Sequence, residues 1–241
     1  MSDSVIDSPD SLSGWIMPWP SFEVDWEKTG LLVIDFQNYS ANEKCGVTRM
    51  LVERSPDVAS YYLPRIREAV GNTRRLLEAF RCSSREIIYT RHGALLHDGR
   101  DMIQRRQRRD TEARAQTDRP TLWAKGSHEH EVIAELAPMD DELVIDKNAS
   151  SPFNGTGIDQ LLRNMGIETL VMTGMATDMC VETTARDAAD RGYNVIVVEN
   201  AVATFFPEHH RAALSALARV YTQVWEADRV LDALQDSHGP T

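Results

Sequence analysis

Short apolar runs alternate along this chain with longer segments in which apolar and charged positions recur at helical spacing. Leu31-Leu32-Val33-Ile34-Asp35-Phe36 is apolar without interruption until an acid appears, the pattern of a strand buried on both faces. Similar runs predict strands at 86–90, 143–146, 169–173, 194–198 and 220–225. Between them, Ile66, Val70, Leu76, Leu77 and Phe80 recur at roughly helical spacing and predict a helix over 63–81. Pro64 fits its opening turn, where a missing N–H costs little. Further helical patterns occupy about 128–137, 157–165, 178–191, 208–218 and 226–235. Alternation of this kind implies a mainly parallel sheet with helices on both faces. The expected fold class is α/β: one three-layer, doubly wound, Rossmann-like domain of about six strands, and 241 residues require no second domain.

Two stretches fall outside the alternation. Residues 1–29 open with a Ser- and Asp-rich tail and continue into Trp15-Ile16-Met17-Pro18-Trp19-Pro20, an aromatic arm expected to lie over the domain or a neighbouring subunit. Residues 30–241 are then the domain proper, with a polar insertion at about 92–127. The insertion holds Gln104-Arg105-Arg106-Gln107-Arg108-Arg109, but Asp98, Asp101, Asp110 and Glu112 flank this run. It also lacks interleaved aromatic residues for base stacking, so the expected reading is a solvated helix face or a subunit contact.

Charge narrows the partners. With 26 Lys plus Arg against 37 Asp plus Glu, the formal charge of −11 argues against nucleic acid and anionic membrane. The first residues lack a basic segment followed by an apolar one, and no apolar run approaches the ~18 residues that cross a bilayer, so a cytoplasmic protein is expected. Cys45, Cys82 and Cys180 are odd in number and widely spaced, which suits a reducing compartment and writes neither a disulfide framework nor a CxxC zinc cluster.

Ligands of an open parallel sheet bind beyond the carboxyl ends of its strands. Three residues stand at such ends. Asp35 closes the first run, Lys147 follows Leu143-Val144-Ile145-Asp146, and Cys180 lies in Thr173-Gly174-Met175-Ala176-Thr177-Asp178-Met179-Cys180, between a strand and the next helix. A carboxylate directly after a fully apolar run is costly to bury without a partner, and the strand-end lysine is the natural one. A thiol at a helix N-terminus meets unpaired N–H groups and the helix dipole, which favour a thiolate and can also hold an oxyanion. Together the three read as an acid/base, a cation and a nucleophile.

These motifs resemble, in order and spacing, the isochorismatase-like cysteine hydrolases, a superfamily that includes nicotinamidases, N-carbamoylsarcosine amidohydrolase, ureidoacrylate amidohydrolase and biuret hydrolase. The resemblance spans roughly residues 18–235. It rests on Leu-Val-Ile-Asp35-Phe-Gln37-Asn38, on Val-Ile-Asp-Lys147 with Ser151, Phe153 and Thr156 after it, and on Thr-Gly-Met-Ala-Thr-Asp-Met-Cys180-Val-Glu-Thr-Thr-Ala-Arg-Asp. It implies Asp35 as general acid/base, Lys147 as the triad lysine and Cys180 as attacking thiolate. It further implies a cis peptide between Met175 and Ala176, and an oxyanion hole from the Ala176 and Cys180 N–H groups. A Cys at the nucleophile position argues for cleavage of an amide or ureide C–N bond in place of a vinyl ether.

The nicotinamidases' Asp-x-His metal motif has no counterpart after the first strand, where Glu43 and Cys45 stand, and His128 and His130 are two apart, so no metal and no cofactor are expected. Asn38, Tyr39, Arg91, His92, Phe153, Thr156, Met175 and Phe205 are the expected substrate contacts, with Asn154, Phe36, Trp123 and Phe206 as further candidates. The expected substrate is a small amide or ureide of the biuret, ureidoacrylate or N-carbamoyl type, with maleamate or nicotinamide as the alternative. A homodimer or homotetramer is expected. Two rival classes fare worse: a dinucleotide-dependent oxidoreductase needs a Gly-rich turn where Asp35-Phe-Gln-Asn-Tyr stands, and a non-catalytic scaffold on the same fold needs to have lost one of the three residues, none of which is missing.

Overall fold

The computed structural model describes residues 18–237. The Ser/Asp-rich tail and the Trp15-Ile16-Met17 part of the arm lie outside the described residues. The chain runs through β1 (Thr29–Ile34), α1 (Asn38–Ala41), α2 (Gly46–Arg54), α3 (Pro56–Cys82), β2 (Ile87–His92) and α4 (Gln104–Thr117). It continues with β3 (Leu143–Lys147), α5 (Ile158–Asn164), β4 (Thr169–Met175), α6 (Glu182–Asp190), β5 (Asn194–Ala203), α7 (Pro207–Val220), β6 (Gln223–Trp225) and α8 (Ala227–Asp236).

All six strands are parallel, in the order β3-β2-β1-β4-β5-β6. The period of two along β1 explains the layers. Leu31 and Val33 pack with Ile66, Leu76 and Phe80 of α3 and with Val230 and Leu234 of α8. Leu32 and Ile34 join the opposite core with Leu162 of α5, Ala185 of α6 and Leu214 and Leu217 of α7. Phe22 and Val24, just past the arm, pack on the first of these cores, and Gln223 Nε2 donates to the Phe22 carbonyl at 3.2 Å.

Several element boundaries differ from the sequence expectation for identifiable reasons. Pro64 lies inside α3, because Pro56 takes the first-turn position and the helix starts a full two turns earlier. Residues 128–137 form two single turns, His128–His130 and Ala134–Leu136, since their amides and carbonyls serve another segment: Ile133 N–H donates to Phe36 at 3.0 Å and Asn38 N–H donates to Glu131 at 2.8 Å. The helix expected over 178–191 starts at Glu182, behind a wide turn at Thr177–Val181 closed by Val181 N–H on the Ala176 carbonyl. Tyr221 and Thr222 direct their N–H groups back to Leu217, which shortens the last strand to three residues.

Gly174 sits where β4 meets the end of β1, opposite Ile34, with φ at +137°. A Cβ there would fall on the Ile34 carbonyl oxygen. Gly174→Ala is expected to lower stability by about 3 kcal/mol or more. Gly71, in the middle of α3 with open space around it, supplies the contrast: Gly71→Ala is expected to raise stability by about 0.5 to 1 kcal/mol. Urea midpoints of the two variants check both signs.

Candidate active site

Strand register brings the three strand-end residues to one edge of the sheet. Ile34 pairs with Thr90 of β2 and His92 of β2 pairs with Lys147 of β3, so the end of β1 and the end of β3 stand on either side of β2. Asp35 leaves its strand in the left-handed region, φ +54°, a conformation that Asp tolerates better than most side chains. Its Oδ2 accepts from Lys147 Nζ at 2.7 Å and its Oδ1 accepts from the Thr90 hydroxyl at 2.7 Å. Lys147 completes its set of donors on the carbonyls of Ser150, at 2.8 Å, and Ala149, at 3.3 Å. Asp35 and Lys147 are 1% and 0% exposed, so neither charge is screened by water.

Cys180 joins them from the turn after β4, within hydrogen-bonding reach of both. Burial pushes its thiol up to about 12; Lys147 pulls the other way and Asp35 reinforces the rise. This corrects the expectation that the helix start favours a thiolate: burial of the sulfur, with the Asp35 carboxylate adding to it, keeps the thiol protonated. Burial disfavours the charged Lys147 amine, but Asp35 and Cys180 outweigh burial and hold its pKa above the usual lysine range. The resting trio is therefore a carboxylate–ammonium pair with a neutral thiol against it.

The turn that carries Cys180 is fixed from behind. The Met175–Ala176 peptide is cis, as the family resemblance implied. Thr177 Oγ1 lies 3.0 Å from His210 Nδ1, and His210 Nε2 lies 2.9 Å from Arg65 Nη2. A guanidinium only donates, so Nε2 accepts and Nδ1 carries the proton that goes to Thr177. Gln37 closes the other side: its side chain accepts from His92 N–H at 2.7 Å and donates to the carbonyls of His92 and His130 at 3.1 and 2.6 Å. Gln37 lies in the first-strand motif, whereas nothing local marks His210, whose partners lie 33 and 145 positions away.

The expected substrate contacts divide. Tyr39 stacks on Trp123 with centroids 4.6 Å apart, and burial first, then Asp35 and Cys180, raise its pKa. His92 is buried and held neutral, first by burial and then by Lys147. Met175 borders the turn and takes the Tyr62 hydroxyl on its sulfur at 3.3 Å. Four others have partners within the fold. Arg91 is engaged by Asp146, at 2.7 Å, and Glu131. Asn38 donates to the His128 carbonyl at 2.9 Å and accepts from Asn42 at 3.1 Å. The Thr156 hydroxyl donates to the Pro152 carbonyl at 2.5 Å. Phe153 lies in the core of the opposite face, against Tyr193 and under Arg191. Phe205 packs on Tyr62 at 4.8 Å, one residue removed from Met175.

Two open hollows of about 280 and 360 Å³, one at Asp178, Glu182 and His209 and one at Val52, Leu63 and Pro64, contain no member of the trio. Among the described residues no group of three or more His, Cys, Asp or Glu side chains is placed to hold a metal ion. No helix of the described residues is long and apolar enough to cross a membrane.

The sequence profile of the isochorismatase domain matches residues 29–229. The chain belongs to the isochorismatase family. It is 29% identical to an uncharacterized isochorismatase family protein, YwoC, of Bacillus subtilis, over 80% of this chain and 87% of that protein. Among solved structures, this isochorismatase-family chain is similar to a cysteine hydrolase from Pseudomonas syringae pv. phaseolicola, with a TM-score of 0.75 and 25% identity over 92% of this chain and 99% of that one. It is also similar to N-carbamoylsarcosine amidase from Thermoplasma acidophilum, with a TM-score of 0.59 and 32% identity over 83% and 97% of the two chains.

Buried neutral histidines give this isochorismatase-family fold a pH signature. Burial first, with nearby cations adding, holds His92 and His210 down to about 3, against 6.5 for a free imidazole. Their contribution to stability is complete above pH 6.5 and is lost as pH falls toward 3, because the unfolded chain takes up protons that the fold refuses. At pH 5.5 the two rings together cost about 3 kcal/mol relative to pH 7.5. Urea unfolding at those two pH values is expected to show a loss of that order.

Proposed function

We propose that this hydrolase cleaves the C–N bond of a small amide or ureide, of the N-carbamoyl, ureidoacrylate or biuret type, through a thioester on Cys180, without metal or cofactor. The observation that carries the reading is the convergence of one thiol, one carboxylate and one ammonium at a single sheet edge, with Asp35 and Lys147 2.7 Å apart and shut off from water. The names of the Pseudomonas syringae cysteine hydrolase and the Thermoplasma acidophilum N-carbamoylsarcosine amidase support the same chemistry.

Asp35 takes the thiol proton as sulfur attacks the substrate carbonyl, and Lys147 balances the charge that moves from oxygen to sulfur. Net charge in the buried site is unchanged by this transfer, so a thiol as weakly acidic as this one is activated without creating an unpaired ion. The developing oxyanion is received by the backbone N–H groups of Ala176 and Cys180, the pair that the family resemblance implies. Asp35 then gives its proton to the departing nitrogen. Water attacks the acyl or carbamoyl thioester with Asp35 as base, the sulfur leaves with a proton, and the trio is restored.

The experiment is ammonia release from biuret, triuret, ureidoacrylate-like compounds, N-carbamoyl amino acids, maleamate and nicotinamide. At least one compound is expected to turn over, and Cys180→Ala is expected to lower that rate by about 10⁴-fold or more with the thermal unfolding midpoint kept. Near pH 8, iodoacetamide is expected to label Cys180 ahead of Cys45 and Cys82. Full turnover by Cys180→Ala would sink the reading.

A further inference from the structure

Sheet register carries one more side chain to the catalytic edge. His92 ends β2 beside Lys147 of β3, and Thr90 lies two residues before it. Side chains two apart on a strand share a face, as do those of paired residues on parallel neighbours. Thr90 and Lys147 both use that face to reach Asp35, each at 2.7 Å, so the imidazole of His92 stands on the face that holds the carboxylate–ammonium pair. The backbone beneath it is pinned. His92 N–H donates to Gln37 Oε1 at 2.7 Å, its carbonyl accepts from Gln37 Nε2 at 3.1 Å, and the Gly93 N–H donates to the Lys147 carbonyl at 2.9 Å.

The ring itself is used by nothing in the fold. Among the described residues its nitrogens form no hydrogen bond, although His92 is only 8% exposed. Nor are they sealed away. Both nitrogens of His130, which packs against Gly93, are closed off from solvent, whereas neither nitrogen of His92 is. A buried polar ring that opens beside a catalytic pair without a partner is a place for a ligand atom. Burial first, and then Lys147, keep the ring neutral, so one nitrogen carries a lone pair.

Donors crowd this edge and acceptors are scarce. Lys147 directs its N–H groups to Asp35, Ala149 and Ser150, the Thr90 hydroxyl donates to Asp35, and the Gln37 side chain serves the backbone. Once Asp35 carries the thiol proton it donates to the departing nitrogen, and the hydrogens already on that nitrogen need an acceptor elsewhere.

We infer that a ring nitrogen of His92 accepts an N–H from the substrate nitrogen, so that the site selects amides and ureides whose reacting nitrogen carries hydrogen over carbonyl compounds of the same shape that carry none. The inference rests on the reading of Cys180 as nucleophile.

Two alkylating reagents of equal shape test this on the full chain. Iodoacetamide carries NH2 on its carbonyl where iodoacetone carries CH3. With either, a carbon–sulfur bond forms, iodide leaves with the electrons of the carbon–iodine bond, and the thiol proton is given up through Asp35. Exposed Cys82 of the same molecule supplies the reference ratio of the two rates. The iodoacetamide-to-iodoacetone ratio is expected to be about tenfold higher at Cys180 than at Cys82, to fall toward the Cys82 value in His92→Leu, and to be largely kept in His92→Gln, whose side-chain oxygen accepts. His97→Leu, at an exposed histidine of the next segment, is expected to leave it unchanged. Equal ratios at the two cysteines of the unmodified chain overturn the inference, so a misfolded His92→Leu does not shelter it. A ratio kept in His92→Leu, lost as fully in His92→Gln, or lowered equally by His97→Leu overturns it too, while the hydrolase reading stands. Cys180 resisting both reagents overturns the nucleophile and the inference together.

Discussion

Burying Asp35 and Lys147 together is the constraint around which the upper edge of the sheet is built. Each ion gives up hydration worth several kcal/mol, and the contact at 2.7 Å recovers it only if the remaining donors and acceptors are also satisfied. They are satisfied: Thr90 donates to the second carboxylate oxygen, and the Ala149 and Ser150 carbonyls take the ammonium. That requirement dictates geometry. β1 and β3 must end at matching heights on either side of β2, the chain after Lys147 must fold back so that two carbonyls meet its own side chain, and Asp35 must leave its strand with positive φ. A well-packed apolar pair of the same volume would give a fold at least as stable. The cost is intelligible if the pair does chemistry, and a neutral thiol placed against it supplies the group on which it would act.

Much of this was legible in the residues. An uninterrupted apolar run is the signature of a central parallel strand, and β1, β4 and β5 are buried along nearly their whole lengths. An acid or a lysine at the end of such a run conflicts with its surroundings, which is why Asp35 and Lys147 stand out in the sequence. The edge strand β3 was equally readable from its composition although only Lys147 in it is fully buried.

Other features were hidden because they depend on partners far away in sequence. The peptide groups of 128–137 serve Phe36 and Asn38, so a segment with helical spacing becomes two isolated turns. Arg91, Asn38 and Thr156 look like ligand donors in isolation, yet Asp146, the His128 carbonyl and the Pro152 carbonyl claim them. Pro64 shows the same limit within one element: proline chemistry favours a helix start, but Pro56 already occupies it and α3 carries Pro64 inside. Flanking acids made the arginine run read as solvated surface. Two of them, Asp101 and Asp110, turn inward to accept backbone amides.

Rigidity and charge in the site come from different layers of the molecule. The nucleophile turn is held through Thr177, His210 and Arg65, a line that crosses from α7 to α3, and Arg65 also reaches the backbone carbonyls of Glu199 and Val202 on β5. Since His210 stays neutral, this line fixes a tautomer and a position without adding an ion next to the sulfur. The charge is instead set by Asp35 and Lys147 from the strands. Separating the two tasks has a physical advantage: the proton can pass between sulfur and carboxylate without disturbing the hydrogen bonds that aim the turn. A protonated imidazole in the same line would stabilise a thiolate, but it could no longer accept from Arg65, and the turn would lose the contact that ties it to α3.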